Sequence, residues 1–210
     1  MPSLRARKKE QTHQKILRCC ERLFRTQGYD ETTIEQIVES AQVSRKTFFN
    51  YFSTKDAALA ELGIEWLTQQ GARAREGVQE HPPTSLIDGL KRFQRNQFEA
   101  IEQDREFMKL VFTRSAVFFP HGDFVGTDSD QTRLAGTKAF FGNLALLFRT
   151  AQLAGQVRSD VTAEQIAEIY VGAMLVTVRL WLTDYWTDDA SLVDRGMQAI
   201  ELLEKGFSSR

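Results

Sequence analysis

Proline is scarce in this 210-residue chain: Pro2, Pro82, Pro83 and Pro120 are the only four, and all stand at punctuation points between periodic segments. Few backbone breakers leave most of the chain free to form long helices. Cysteine is scarcer still. Cys19 and Cys20 are neighbours, and a bridge between adjacent residues would be strained, so no disulfide framework is expected and a reducing cytosol is the expected setting. The three histidines, His13, His81 and His121, are isolated from one another. No His, Cys, Asp and Glu spacing suits a metal, and neither a glycine-rich phosphate loop nor a nucleophile motif is present, so the expectation is a protein that is not an enzyme and needs no cofactor or metal. Long apolar runs are missing too. The longest, Tyr170 to Leu182, is interrupted by Arg179 and is shorter than the roughly 20 residues that span a bilayer. Arg5, Arg7, Lys8 and Lys9 are followed by a polar segment from Glu10 to Lys15, which argues against a signal peptide. A cytoplasmic protein with no membrane partner is expected. Net charge is nearly absent, with 27 Lys and Arg against 28 Asp and Glu, which excludes a histone-like or polyacidic chain as a whole.

What is present is helical periodicity. Apolar residues recur near every 3.6 positions, so the fold class is all-α with about nine helices. The first is expected over about 8–27, with Ile16, Cys20, Leu23 and Phe24 on one face and Gly28 as its stop. A short second helix begins at Thr32 or Thr33, since Thr32-x-x-Glu35 and Thr33-x-x-Gln36 both match a capping box. Gln42 and Val43 alone separate it from Ser44, which can cap a third helix running through Phe52. Ser53-x-x-Asp56 offers another capping box and a fourth helix over 54–78. Further helices are expected over 84–103, 104–118, 133–155, 162–185 and 190–207, with one long loop from Phe119 to Gln131.

The charge is divided unevenly along the chain. Residues 1–56 hold 11 Lys and Arg against 7 Asp and Glu, a net of +4, and the remainder holds 16 against 21, a net of −5. Such asymmetry suggests a polyanion as the partner of the N-terminal part.

The segment from Ile34 to Phe52 has the layout of a helix-turn-helix. Ile37, Ala41, Val43 and Phe48 can fill the angle between two crossing helices, and Ala41 is small where the backbones approach. The second helix then displays Arg45, Lys46, Thr47 and Asn50. Arg and Lys donate to guanine edges or phosphates, Asn pairs with adenine, and the Thr methyl meets thymine. Thr33, Ser44, Tyr51 and Lys55 are expected to position the head against phosphates through hydroxyl, backbone amide and ammonium groups.

These residues, in this order, resemble the TetR (tetracycline-repressor-like) family of bacterial transcription regulators. The resemblance rests on Ile16-Leu17, Leu23-Phe24, Gly28-Tyr29, Thr32-Thr33-Ile34, Ile37, Ala41, Val43-Ser44, Thr47 to Phe52 and Lys55-Asp56-Ala57. Three positions depart from the family pattern: Gln42 stands where a turn glycine is usual, Phe49 where Tyr is frequent, and Lys46 where Gly is frequent. The first implies a non-glycine residue in a left-handed conformation.

The resemblance implies a DNA-binding domain over 1–56 and a helical ligand-binding and dimerisation domain over 57–210. Effector contacts are expected from Trp66, Phe93, Gln97, Phe107, Phe140, Asn143, Leu144, Tyr170 and Met174, aromatic or polar positions able to line an inter-helical cavity. The last two helices carry wide apolar faces: Ile166, Ile169, Ala173, Val176 and Leu180 on one, Leu192, Val193, Met197, Ile200 and Leu203 on the other. Two such pairs about a two-fold axis would form a four-helix homodimer interface. The expected function is a repressor that binds a pseudo-palindromic double-stranded DNA operator and is released by a small, largely apolar or aromatic effector. Two other readings are a non-specific DNA-binding protein and a helical small-molecule-binding protein without a regulatory role.

Overall fold

In the computed structural model, the described residues are 3–80, 83–114 and 128–207, without the side chains of 74–75, 77–80, 128–137, 139–140 and 207. They contain helices and no strand. The described residues fall into two compact units, those within 1–69 and 106–119 in one and those within 70–105 and 120–210 in the other.

The first unit begins with α1 (Leu4–Thr26), four residues earlier than the apolar period announces, because the Ser3 hydroxyl accepts from the Ala6 amide and caps the polar, basic first turns. Its face of Ile16, Leu17, Cys20, Leu23 and Phe24 is buried. Gly28, with φ +91°, then reverses the chain. Of the two possible capping boxes for α2 (Ile34–Ala41), the one formed is Thr33 with Gln36. Next comes α3 (Arg45–Phe49), capped by Ser44 and ending before Phe52, so Asn50 is its C-cap. At the start of α4 (Lys55–Glu80), the Thr54 hydroxyl accepts from the Ala57 amide at 3.1 Å, taking the role expected of Ser53. Of the helix expected over 104–118, α6 (Arg105–Arg114) is present, and 115–118 lie outside the described residues. Beneath the guanidinium of Arg25, 3.9 Å from its ring centre, lies Phe107 of α6.

The second unit holds α5 (Leu86–Gln103), α7 (Asp128–Leu153), α8 (Ala163–Leu182) and α9 (Leu192–Phe207). Residues 128–131, expected in the long loop, belong to α7, and the rest of that loop, 119–127, lies outside the described residues. The middle helix is α8, packed on both α7 and α9, while α5 packs on α9. Its start at Ala163, set by a Thr162–Gln165 capping box, makes it longer than the apolar run from Tyr170. Among the described residues it is the one helix long and apolar enough to cross a membrane. One of its faces, including Ile166, Ala167, Tyr170, Met174, Val178 and Leu182, is buried within the unit.

Two packing constraints are testable. At Gly196 of α9 an added Cβ would fall inside the ring of Phe98, which is fully buried. Helix propensity alone would favour alanine there by about 1 kcal/mol, but overpacking costs ~1–3 kcal/mol. Gly196→Ala is therefore expected to lower the urea midpoint, and a raised midpoint would show that the ring yields. In α1, burial pushes the Cys20 thiol up to about 12, with a smaller contribution from Cys19. Because the thiolate is the reactive form, a thiol reagent at pH 8 should modify the half-exposed Cys19 in the native protein and reach Cys20 only on unfolding.

Candidate nucleic-acid interface

The turn between α2 and α3 is made by Gln42 in the left-handed region, φ 50° and ψ 49°, as its place in the sequence implied. Gln42 and Val43 amides return to the Glu39 and Val38 carbonyls at 3.0 Å each, closing the end of α2. Inside the angle, Ile37, Ala41 and Phe48 are all fully buried. The Ser44 hydroxyl accepts from the Thr47 amide at 3.0 Å and lies 2.8 Å from the Thr47 hydroxyl. This cap makes a helix of only five residues begin at Arg45.

With Phe48 committed to the interior, α3 turns its other residues outward. Arg45, Lys46 and Asn50 are exposed, and Thr47 is half-buried. Two further side chains share this face. Phe49 is 42% exposed, and the Arg45 guanidinium lies over it, 5.7 Å from the ring centre. Glu35 forms an ion pair with Arg45. Because the capping box uses Gln36, the Glu35 carboxylate is left for Arg45, a pairing that sequence spacing did not reveal. The surface is thus cationic but partly self-neutralised. An incoming phosphate or base edge would compete with one carboxylate for Arg45.

The residues expected to position phosphates have different surroundings. Thr33 caps α2 at the exposed surface, its hydroxyl accepting from the Gln36 amide at 3.2 Å. From Tyr51, half-buried, the hydroxyl donates to the Lys9 carbonyl at 3.1 Å, which brings the basic start of α1 to the end of α3. Lys55 points inward: its ammonium donates to the Tyr29 and Thr32 carbonyls at 2.6 and 2.9 Å and lies 4.1 Å from the Tyr29 ring centre. Two loop carbonyls without helical partners explain that choice. The Tyr29 hydroxyl donates to Asp56 at 2.5 Å, and burial together with that carboxylate raises its pKa.

Among the expected effector residues, Trp66 and Phe107 fall in the first unit, and Phe93, Gln97, Asn143, Leu144, Tyr170 and Met174 fall in the second. The Phe140 side chain lies outside the described residues. Gln97, Leu144, Tyr170 and Met174 are buried, Trp66 and Phe93 are half-buried, and Asn143 is exposed. Gln94 was not anticipated: it is buried and accepts from the Tyr170 hydroxyl at 3.0 Å. Its position one turn before Gln97 on α5 was the available signal.

The apolar faces assigned to dimerisation divide in two. Ile166, Leu192 and Ile200 are buried within the unit, so their surfaces are already used. Ile169 and Val176 stand 54% and 53% exposed, with Ala173 and Leu180 half-buried on the same stripe of α8. On α9, Val193, Met197 and Leu203 are half-buried, and Leu202, not anticipated, is 70% exposed.

Residues 16–62 match the family described as bacterial regulatory proteins, tetR family. The HTH-type transcriptional regulator TcmR of Streptomyces glaucescens is 44% identical over 55 residues, covering 26% of this chain and 24% of that protein. The uncharacterized HTH-type transcriptional regulator YvkB of Bacillus subtilis is 28% identical over 107 residues, covering 51% of this chain and 54% of that protein. In these alignments the chain spans about a quarter and about half of the relatives' lengths. The fold extends further than the sequence match: the crystal structure of Thermus thermophilus FadR, a TetR-family transcriptional repressor in complex with lauroyl-CoA, superposes with a TM-score of 0.72 at 23% identity, covering 94% of this chain and 96% of that one. Over residues 16–62 the chain is thus similar to the tetR family of bacterial regulatory proteins, and its all-helical fold is shared along nearly its whole length with a solved structure.

Proposed function

We propose that this chain is a cytoplasmic, ligand-responsive transcriptional repressor that binds a pseudo-palindromic DNA operator as a homodimer. The observation that carries the reading is the division of α3, whose Phe48 is sealed in the core while Arg45, Lys46 and Asn50 stand in solvent. A five-residue helix held from one side and presenting cations and an amide on the other suits entry into a major groove. Ser44 and Thr33 then offer capped helix starts to flanking phosphates, and Arg5, Arg7, Lys8 and Lys9 of α1 add sequence-independent attraction. The functional division lies at residue 56, with 1–56 as the reading head and 57–210 as the effector and dimerisation part.

The exposed stripe of Ile169, Ala173, Val176 and Leu180 supports a two-fold contact between copies of α8, with α9 beside it. One head per half-site then matches a palindrome. An effector held among helices of the second part shifts the balance only by favouring a conformation that binds DNA poorly. In this reading α4, which starts at Lys55, is the lever. The FadR complex with lauroyl-CoA supports an effector with a substantial apolar body.

Selection from a random duplex library should return an inverted repeat. Arg45→Ala with Lys46→Ala should weaken retention of that repeat at least about tenfold, since each lost base or phosphate contact costs ~1–3 kcal/mol, while the dimer persists by light scattering. Equal retention of random competitor at the same salt would overturn sequence-specific repression. At the proposed interface, Ile169→Glu with Val176→Glu should yield a folded monomer in sedimentation, whereas Ile166→Glu should unfold the second unit because that side chain is fully buried.

A further inference from the structure

The interior of the second unit contains more amide than a packed core needs. Gln70, Gln94 and Gln97 are all more than nine-tenths buried, and with the Tyr170 hydroxyl they are the polar groups of its described interior. Gln94 and Gln97 lie one turn apart on α5. The Gln94 carbonyl oxygen accepts from Tyr170 of α8 at 3.0 Å, and Tyr170 stands edge-on to the Phe148 ring of α7, 5.9 Å between centres. Met174, one turn further along α8, is buried on the same face. The Gln97 amide has no hydrogen-bond partner among the described residues and yet is not sealed, since the one described side-chain atom both sealed and unpaired is Nδ1 of His13. An amide so largely buried with no protein partner loses part of its hydration, a cost of up to ~1–3 kcal/mol that a leucine of similar reach would avoid.

Charge distribution narrows what these amides can serve. No charged side chain is buried among the described residues. The unit's charges pair at its surface instead, as in Lys91–Glu204, Arg158–Asp160 and Arg195–Asp188. An ion entering the interior would lose its hydration and meet no buried counter-charge among the described residues. A neutral molecule would lose little, and its oxygen or nitrogen would pair with donors and acceptors that no described residue engages.

We infer that Gln94, Gln97 and Tyr170 are the polar anchor of the effector site, and that the effector is an uncharged molecule with an apolar body carrying a carbonyl, amide or hydroxyl group. The inference rests on the ligand-responsive reading and adds the chemical class. Gln97 supplies both donor and acceptor to the ligand, and Gln94 supplies its remaining donor while its oxygen holds Tyr170 in place. Thioester ligands with charged head groups fall outside this class unless the charge stays out of the interior.

The test uses the full chain and three probes in calorimetric titration: 1-naphthaleneacetamide, 1-naphthaleneacetate and lauroyl-CoA. The amide should bind at least about tenfold more tightly than its isosteric anion, the size of one hydrogen bond gained without a buried charge. Gln97→Leu should remove most of that preference while holding or raising the melting temperature, and Gln94→Leu should do the same independently. Equal or tighter binding of the anion, no binding of the amide, or an amide affinity indifferent to both substitutions would each overturn the inference. Lauroyl-CoA binding that survives both substitutions would overturn it too while leaving a ligand-responsive regulator intact. Failure to select any DNA repeat would instead overturn the regulatory reading, whatever the amide does.

Discussion

The joint around Tyr29 is the constraint on which the N-terminal unit depends. Gly28 reverses the chain in a conformation that L side chains rarely adopt, and this places the Tyr29 ring against Phe24, 5.0 Å between centres. From there Tyr29 engages the first turn of α4 by its hydroxyl to Asp56, its carbonyl to Lys55 and its ring face to the same ammonium. Asp30 next to it pairs with Arg114 of α6 at 2.9 Å. On the other side of α1, His13 stacks on Phe52 and lies 2.9 Å from Glu61 of α4. The helix-turn-helix is thus carried on a frame in which α1, α4 and α6 are tied by groups of opposite character: an aromatic ring, a half-buried carboxylate and two cations. Because an unpaired partner in such a network would be costly, the frame has one well-satisfied arrangement.

That frame explains how so short a helix as α3 can present an ordered, exposed surface. Five residues cannot hold helical form in water by themselves. Ser44 at one end, Phe48 beneath, and the Asn50, Tyr51 and Phe52 amides returning to Lys46, Thr47 and Phe48 carbonyls at the other end supply what helix propensity does not. The same economy accounts for Lys55, whose charge stabilises two loop carbonyls, while Arg45, Lys46 and the start of α1 are among the cations that remain exposed.

The second unit is organised around α8, which has two apolar faces with different fates. One is closed within the unit by α7 and α9, and the other keeps Ile169 and Val176 in solvent. A helix apolar on both sides is unstable against water unless something covers the second side. Within the closed side, Tyr170 and the glutamines of α5 are polar groups in a described interior that is otherwise apolar.

Read from residues alone, the all-helical class, the helix-turn-helix and its buried Ile37, Ala41 and Phe48 were legible, because each depends on local spacing, capping chemistry and helical period. So was the left-handed Gln42, which the resemblance implied by placing it where the family usually has a turn glycine. Competition between groups far apart in sequence was not legible. Thr33 and Gln36 form the capping box, freeing Glu35 to meet Arg45; Tyr29 claims Lys55; Gln94 receives Tyr170 from 76 residues away. Likewise an apolar period marks a face but does not say which neighbour covers it, so Ile166 and Ile169 looked equivalent until α7 and α9 buried one and left the other exposed. Local chemistry determined the elements and their capping alternatives; tertiary packing decided which polar group each charge would satisfy and which apolar face would remain open, because those outcomes depend on partners brought together only by folding.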